Sequence, residues 1–150
     1  RLPAWSLVAL AIFFSVQLAF PLRHWLYEGR TDWHEQGFRF SWNVMVMEKV
    51  GVTEFRVVDE HGAETTVHPR EELTPFQLRM MSTQPDLILS YAHHLRERWR
   101  EDGRGQVAIY ADAWVSINGR RRARLVDPEV DLARQEDGFA TKTWILPAPL

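Results

Sequence analysis

Between Arg1 and Arg23 the chain runs for 21 residues without a charge, LPAWSLVALAIFFSVQLAFPL, and no other feature restricts its folding as strongly. As a helix this segment spans roughly 31 Å, about the thickness of a bilayer core. Three structures satisfy such a pattern: a membrane span, a secretory signal, or a helix buried inside a protein core. A signal needs a small-residue cleavage site, and QLAFPLRH offers a poor one. Trp5 near one end, with Arg23, His24, Trp25 and Tyr27 past the other, has the character of interfacial anchoring. The segment 2 to 22 therefore reads as a transmembrane helix. Because the chain opens on Arg, the expectation is the C-terminal piece of a larger membrane protein, with this as its last span. Arg1 and Arg23 balance across the span, so charge bias leaves its orientation open.

Composition allows one ordinary domain beyond the span: of the 150 residues, 45% are hydrophobic and 25% charged, with a net charge of -2. That balance argues against a polyanion binder, and nucleic acid is not an expected partner. The absence of Cys excludes a disulfide framework and a thiolate metal site.

Residues 23 to 37 read as a polar connector, and 38 to 147 as an extramembrane domain. FRFSWNVMVMEK alternates with period two, setting Phe38, Phe40, Trp42, Val44 and Val46 on one face of an expected strand. VGV at 50 to 52 is expected to turn the chain into a partner strand, TEFRVVDE, and EHGAE to turn it again into TTVH. The period then becomes helical. Thr74, Pro75 and Gln77 spell a capping box, and Ile88, Tyr91, Ala92, Leu95 and Trp99 form one apolar stripe ended by Gly103. Arg96, Arg98 and Arg100 complement the helix dipole in its last turns. QVAIYADAWVSI predicts a long strand, and Asn118-Gly119 a two-residue hairpin turn. The expected class is α+β: a transmembrane helix, then an antiparallel, sandwich-like sheet domain with two helices.

The return strand is expected to carry Arg120, Arg122 and Arg124 on one side and Arg121, Ala123 and Leu125 on the other. Such a row suits phosphate or anionic lipid, but the plainer reading is a charged edge strand paired with Asp112 and Asp127. HExxH, GxSxG, Gly-rich phosphate loops and EF-hand spacing are all absent from the sequence. His93 and His94 are adjacent on a helix and point about 100° apart, which disfavours joint chelation. His93 is expected at the surface and His94 in packing. Asp127, Glu129 and Asp131 fit a turn better than a cation site. No metal is expected.

Three blocks, FRFSWNVMV, ADAWVSINGRRRARLVDPEVDLA and TKTWILP, in this order and spacing, resemble the vitamin K-dependent gamma-glutamyl carboxylase family. The likeness covers roughly Pro21 to Pro147. It is carried best by Phe40-Ser41-Trp42, by WVSIN at Trp114 to Asn118, and by the DPxVD pattern at Asp127 to Asp131. PLRHWLYEGRTDWHEQG resembles the family's exit from its last membrane helix. Bacterial members, grouped under a horizontally transferred transmembrane domain, are similar in the same region.

The resemblance implies an extracytoplasmic, membrane-attached portion of an enzyme that carboxylates protein glutamate while reduced vitamin K (the hydroquinone) is oxygenated. In that family a membrane lysine deprotonates the hydroquinone, oxygen adds, and the strong base that results takes a proton from the glutamate γ-carbon. Carbon dioxide then traps the carbanion. Neither Lys49 nor Lys142 matches the catalytic lysine, so no catalytic residue is assigned to this chain. Matched residues supply a substrate wall instead: Phe40 and Trp42, with Phe38 and Met45 beside them and Ser41 orienting the strand. Core packing in a sheet is the competing role for these side chains. Partners implied are a glutamate-containing protein or peptide and membrane lipid, with vitamin K hydroquinone as cofactor. Animal members carry Tyr, Asp and His where Phe40, Asn43 and Met47 stand. A non-catalytic α+β module that binds a protein or envelope partner is the alternative.

Overall fold

The computed structural model describes residues 3–42 and 47–149. It opens with helix α1 (Ala4–Ala19), which continues as a 3-10 turn over Phe20–Leu26 and is followed by the single helical turn α2 (Thr31–His34). The whole stretch Ala4–Leu26 is long and apolar enough to cross a membrane, with a mean hydropathy of 1.9, and only 6% of its most apolar window is buried in the protein. Side chains such as Leu7, Ile12, Phe13 and Phe14 stand open all round it. A core helix of a soluble protein would bury one face, so this helix has the surface of a lipid-facing span.

The remainder is α+β, built on a four-stranded antiparallel sheet. Strand β1 (Lys49–Asp59) forms a hairpin with β2 (Glu64–Val67). On its other side β1 pairs along its whole length with β3 (Val107–Ile117), from Lys49 opposite Ile117 to Asp59 opposite Val107. The short β4 (Ala123–Arg124) pairs with Val115 and Trp114, which makes the strand order β2-β1-β3-β4. Alternation decides which face is covered: Phe55 and Val57 from β1, and Ile109, Ala111, Ala113, Val115 and Ile117 from β3, are buried together. The second layer is helical. Helix α3 (Pro75–Met81) starts at Thr74, whose hydroxyl accepts from the Gln77 amide while the Gln77 side chain accepts from the Thr74 amide. Helix α4 (Pro85–Glu101) buries Ile88, Tyr91, Ala92, Leu95 and Trp99, the stripe that the sequence spaces three and four residues apart. Each large apolar side chain so buried contributes about 1.5–3 kcal/mol.

Two expected features differ. VGV does not turn the chain, since Val50, Gly51 and Val52 lie inside β1. A Cβ on Gly51 would sit 2.3 Å from the Ser82 carbonyl oxygen, so the glycine admits the link between α3 and α4 against the sheet. Nor do residues 38 to 42 extend the sheet: the chain turns tightly there, and β1 begins only at Lys49. The Phe38 carbonyl accepts from the Ser41 amide at 2.9 Å, and Phe40 takes a left-handed φ of 59°. Ser41 thus closes a turn rather than orienting a strand. A hydrophobic alternation has no sheet to join when its backbone groups are spent within a turn.

The arginine strand is also shorter than its pattern. Asn118 and Gly119 both have positive φ and Arg120 N–H donates to Ile117 at 3.0 Å, as a two-residue turn requires. Yet Val115 pairs with Ala123, which leaves one extra residue on the returning side, and the Ser116 hydroxyl donates to the Arg120 carbonyl at 2.6 Å across it. Arg120, Arg121 and Arg122 therefore lie outside the strand, and the single-sided row of Arg120, Arg122 and Arg124 does not form.

Candidate functional site at the membrane junction

The chain leaves the apolar helix and is pinned to the sheet within a few residues. In α2, Trp33 is buried at 1% exposure and its indole N–H donates to the Leu146 carbonyl at 2.8 Å. Glu35 ends α2 with φ 56°. That left-handed turn aims its carboxylate at Lys49, whose ammonium donates to Glu35 at 2.5 Å and to the Trp33 carbonyl at 2.9 Å. The two side chains are 15% and 5% exposed, so the pair is nearly dry. Burial pushes the Glu35 carboxyl up and the Lys49 ammonium down, and their mutual attraction offsets only part of this.

From this anchor the turn 36–40 projects back toward the span. Arg23 donates to the Arg39 carbonyl, and Arg39 pairs with Asp86 at the start of α4. Tyr27 donates to the Phe139 carbonyl at 2.9 Å. Phe40 stands 82% exposed, its ring centroid 6.5 Å from that of Phe20 at the end of the apolar helix. Trp42 is 63% exposed. Holding an aromatic residue in the left-handed region costs about 1–2 kcal/mol, and the Ser41 amide bond to Phe38 and the Arg23 bond to the Arg39 carbonyl hold the turn on either side of it.

Beside the turn lies a groove of about 940 Å³ between α3, α4 and the turn, walled by Phe38, Met47, Leu73, Phe76, Met80 and Leu87. Polar groups enter it from Glu35, Asp86, Tyr91 and His94. The Tyr91 hydroxyl is buried near the Glu72 carboxylate, and burial first, with Glu72 next in effect, pushes its ionisation well up. A second, more polar cavity of about 300 Å³ shares Glu35, Arg39 and Asp86 and reaches Arg23 and Lys142. Glu35 thus borders both.

The four residues assigned to a substrate wall are placed unevenly. Phe38 lines the groove; Phe40 stands beside Phe20 at the end of the apolar helix and Trp42 follows two residues on, both exposed and outside the core, so sheet packing is not their role. Met45 lies outside the described residues. Sequence reasoning passes over Glu35 and Lys49. A signal was available, because Lys49 continues the inward register of Thr53, Phe55 and Val57, where a charge needs a partner. Glu35 itself has no such signal.

The histidines exchange their expected places. His93 is half-buried and hydrogen-bonded to the Gln135 carbonyl at 2.8 Å, while His94 is exposed 3.7 Å from Glu72. The packing of α4 against residues 132–135 sets this, which helical spacing does not encode. Arg96 also turns from the helix end to donate to the Ala133 carbonyl at 2.6 Å, whereas Arg98 and Arg100 do sit in the last turn. Asp127 and Asp131 behave as turn residues: Asp127 accepts from Glu129 N–H at 3.0 Å, and Asp131 accepts from Ile109 and Ala133 amides. Among the described residues no group of acids and histidines is arranged to hold a metal.

No solved structure matches this chain. The family model for the vitamin K-dependent gamma-carboxylase lumenal domain matches residues 3–150. A match over nearly the whole length, on a chain whose apolar helix leads into an α+β domain with an aromatic turn at their junction, settles the family: this chain belongs to the vitamin K-dependent gamma-carboxylase lumenal domain family.

Proposed function

We propose that the chain forms the extracytoplasmic domain and adjoining span of a membrane-embedded gamma-carboxylase-like enzyme, which carboxylates protein glutamate while reduced vitamin K is oxygenated. The observation that carries this reading is the turn at Phe40, whose backbone is held at φ 59° with its ring open and 6.5 Å from that of Phe20, and which is followed two residues on by the exposed Trp42. An exposed aromatic in an unfavourable backbone conformation is costly unless it meets something, and the nearness of Phe40 to the end of the apolar helix supports a place at the membrane boundary. In this reading Phe38, Phe40 and Trp42 contribute to a wall that, completed by the membrane helices, excludes water from a glutamate carbanion, which water would otherwise quench. Glu35 and Lys49 hold the base of that wall. The family resemblance assigns the catalytic base to membrane helices outside this chain, and the commitment of Lys49 to its ion pair with Glu35 is consistent with that.

The exposed rings of Phe20, Phe40 and Trp42 suit an apolar quinone at the bilayer edge. Vitamin K hydroquinone, when bound, supplies with oxygen the strong base that glutamate deprotonation demands.

The test is incorporation of labelled carbon dioxide into a glutamate peptide by the full-length enzyme with reduced quinone. Trp42→Ala removes an exposed side chain, so its melting temperature should stay within the shift set by about 0.5 kcal/mol. Activity should fall at least tenfold. Unchanged activity removes Trp42 from the wall, and activity in the isolated fragment refutes a site completed by other helices. The rival reading is a non-catalytic membrane-anchored module that binds a protein or envelope partner. It draws on Phe40, Asn43 and Met47, which lack the hydroxyl, carboxylate and imidazole of animal members; partner binding without carboxylation in the intact protein would favour it.

A further inference from the structure

The hairpin tip beyond β3 stands at a defined end of the domain. Asn118 N–H donates to the Glu48 carbonyl, and Glu48 N–H to the Asn118 side chain, each at 2.8 Å, so the tip is clamped to the chain entering β1. The next residue, Lys49, is tied to Trp33 and Glu35, seven and nine residues past Leu26 where the apolar helix ends. The start of α4 marks the same end: Asp86 pairs with Arg39, and Pro85 and Asp86 line one cavity with Arg23. These ties to the membrane helix gather at the end of the sheet where Lys49 faces Ile117, and Asp59 and Val107 mark the far end of the 11-residue strands. β3 runs toward the end that holds these ties, and its hairpin is an overhang there.

That overhang carries Arg120, Arg121 and Arg122, all exposed and none ion-paired with a described residue. Their neighbour Arg124 differs: it is bound to Asp112 at 3.0 Å and lies over the Trp114 ring. Glu48 is the exposed acid beside the tip, and it leaves an excess of positive charge there. Flanking the tip on the uncovered sheet face, Val50, Val52 and Trp114 are about half exposed. Basic residues beside an aromatic and apolar rim match a bilayer interface.

We infer that the Asn118–Arg122 hairpin tip is a membrane contact that binds the headgroups of anionic phospholipids in the leaflet from which the apolar helix emerges. Three arginines are within reach of phosphate groups held in a plane, and guanidinium forks bind phosphate in two-point fashion. Each such residue near an anionic surface strengthens association roughly fivefold, which compounds to about a hundredfold for three. The contact sets the domain's tilt on the bilayer, and it stands apart from the aromatic turn and from the carboxylase reading.

The chain has no cysteine, so Glu48→Cys places a single fluorophore beside the tip and leaves the arginines intact. The intact chain is reconstituted in nanodiscs containing nitroxide-headgroup lipid, with either zwitterionic lipid alone or about one third phosphatidylglycerol. Quenching should be several-fold greater in the anionic discs and should collapse near 1 M salt, where screening acts within about 3 Å. It should be lost in the R120Q/R121Q/R122Q variant and recovered with three lysines, all with unchanged melting. Equal quenching in both lipids, or persistence in the glutamine variant, overturns the proposal. So does competition by millimolar inorganic phosphate or an acidic peptide at low salt, which would assign the arginines to a soluble ligand.

Discussion

Lys49→Met isolates the ion pair on which the membrane junction is built. The substitution keeps most of the side chain's apolar volume and leaves the Glu35 carboxylate, 15% exposed, without its cation. It also strips the Trp33 carbonyl of its 2.9 Å donor. Removing one partner of a buried pair typically costs about 3–5 kcal/mol, because the remaining charge stays desolvated. At 150 residues this lowers the melting temperature by roughly 6–20 °C. Glu35 sets the sign of the pH dependence. Burial already raises its folded pKa above the ordinary 4.5, and loss of Lys49 removes the main effect holding it down. The folded variant therefore binds more protons than the unfolded chain above pH 4.5, and its stability falls as pH rises through that window. Melting of the detergent-solubilised chain should show a larger deficit at about pH 8 than at about pH 5. Adding Glu35→Gln should recover much of the loss, since no buried charge then remains unpaired. A deficit below about 1 kcal/mol, a pH-independent deficit, or strict additivity of the two substitutions would refute this account.

Phe40→Gly should raise stability by about 1 kcal/mol, since glycine occupies φ 59° without strain, while carboxylation by the full-length enzyme falls; a stability loss would show that the ring packs after all. Gly51→Ala should destabilise by roughly 1–3 kcal/mol in melting experiments, because its Cβ would meet the Ser82 carbonyl 2.3 Å away. Burial, and next the Lys49 charge, hold His34 below its ordinary 6.5, so its neutral form is favoured in the fold and stability is lost as pH falls below about 6.5. A melting series from neutral to mildly acid pH should show less of this loss in His34→Gln.

Elements whose signals are local were legible in the order of residues alone. The charge-free run forces an apolar helix wherever it is placed. Thr74, Pro75 and Gln77 start α3 because their side chains cap the backbone groups next to them, and the stripe from Ile88 to Trp99 and the alternation from Val107 to Ile117 each define one buried face. Asn118-Gly119 makes its turn because both residues tolerate positive φ. Of the family blocks, the middle one lies on these elements, in β3 and the turn that follows it. Long-range packing settled the other features, where a residue's role depends on what the chain brings to it from far away. Gly51 looks like a turn residue until Ser82 arrives against it. The alternation of Phe38, Phe40 and Trp42 is identical to that of a strand, yet those residues turn where Arg23 and Asp86 capture the two sides of Arg39. The expected row of arginines dissolved because one extra residue at the tip shifts the register, a shift set by pairing with β3. Above all, Glu35 and Lys49 are 14 positions apart and meet only because α2 is docked by Trp33 onto the chain's far end at Leu146. Local patterns specify faces and caps; a buried charge pair arises only when packing removes the water from both partners at once.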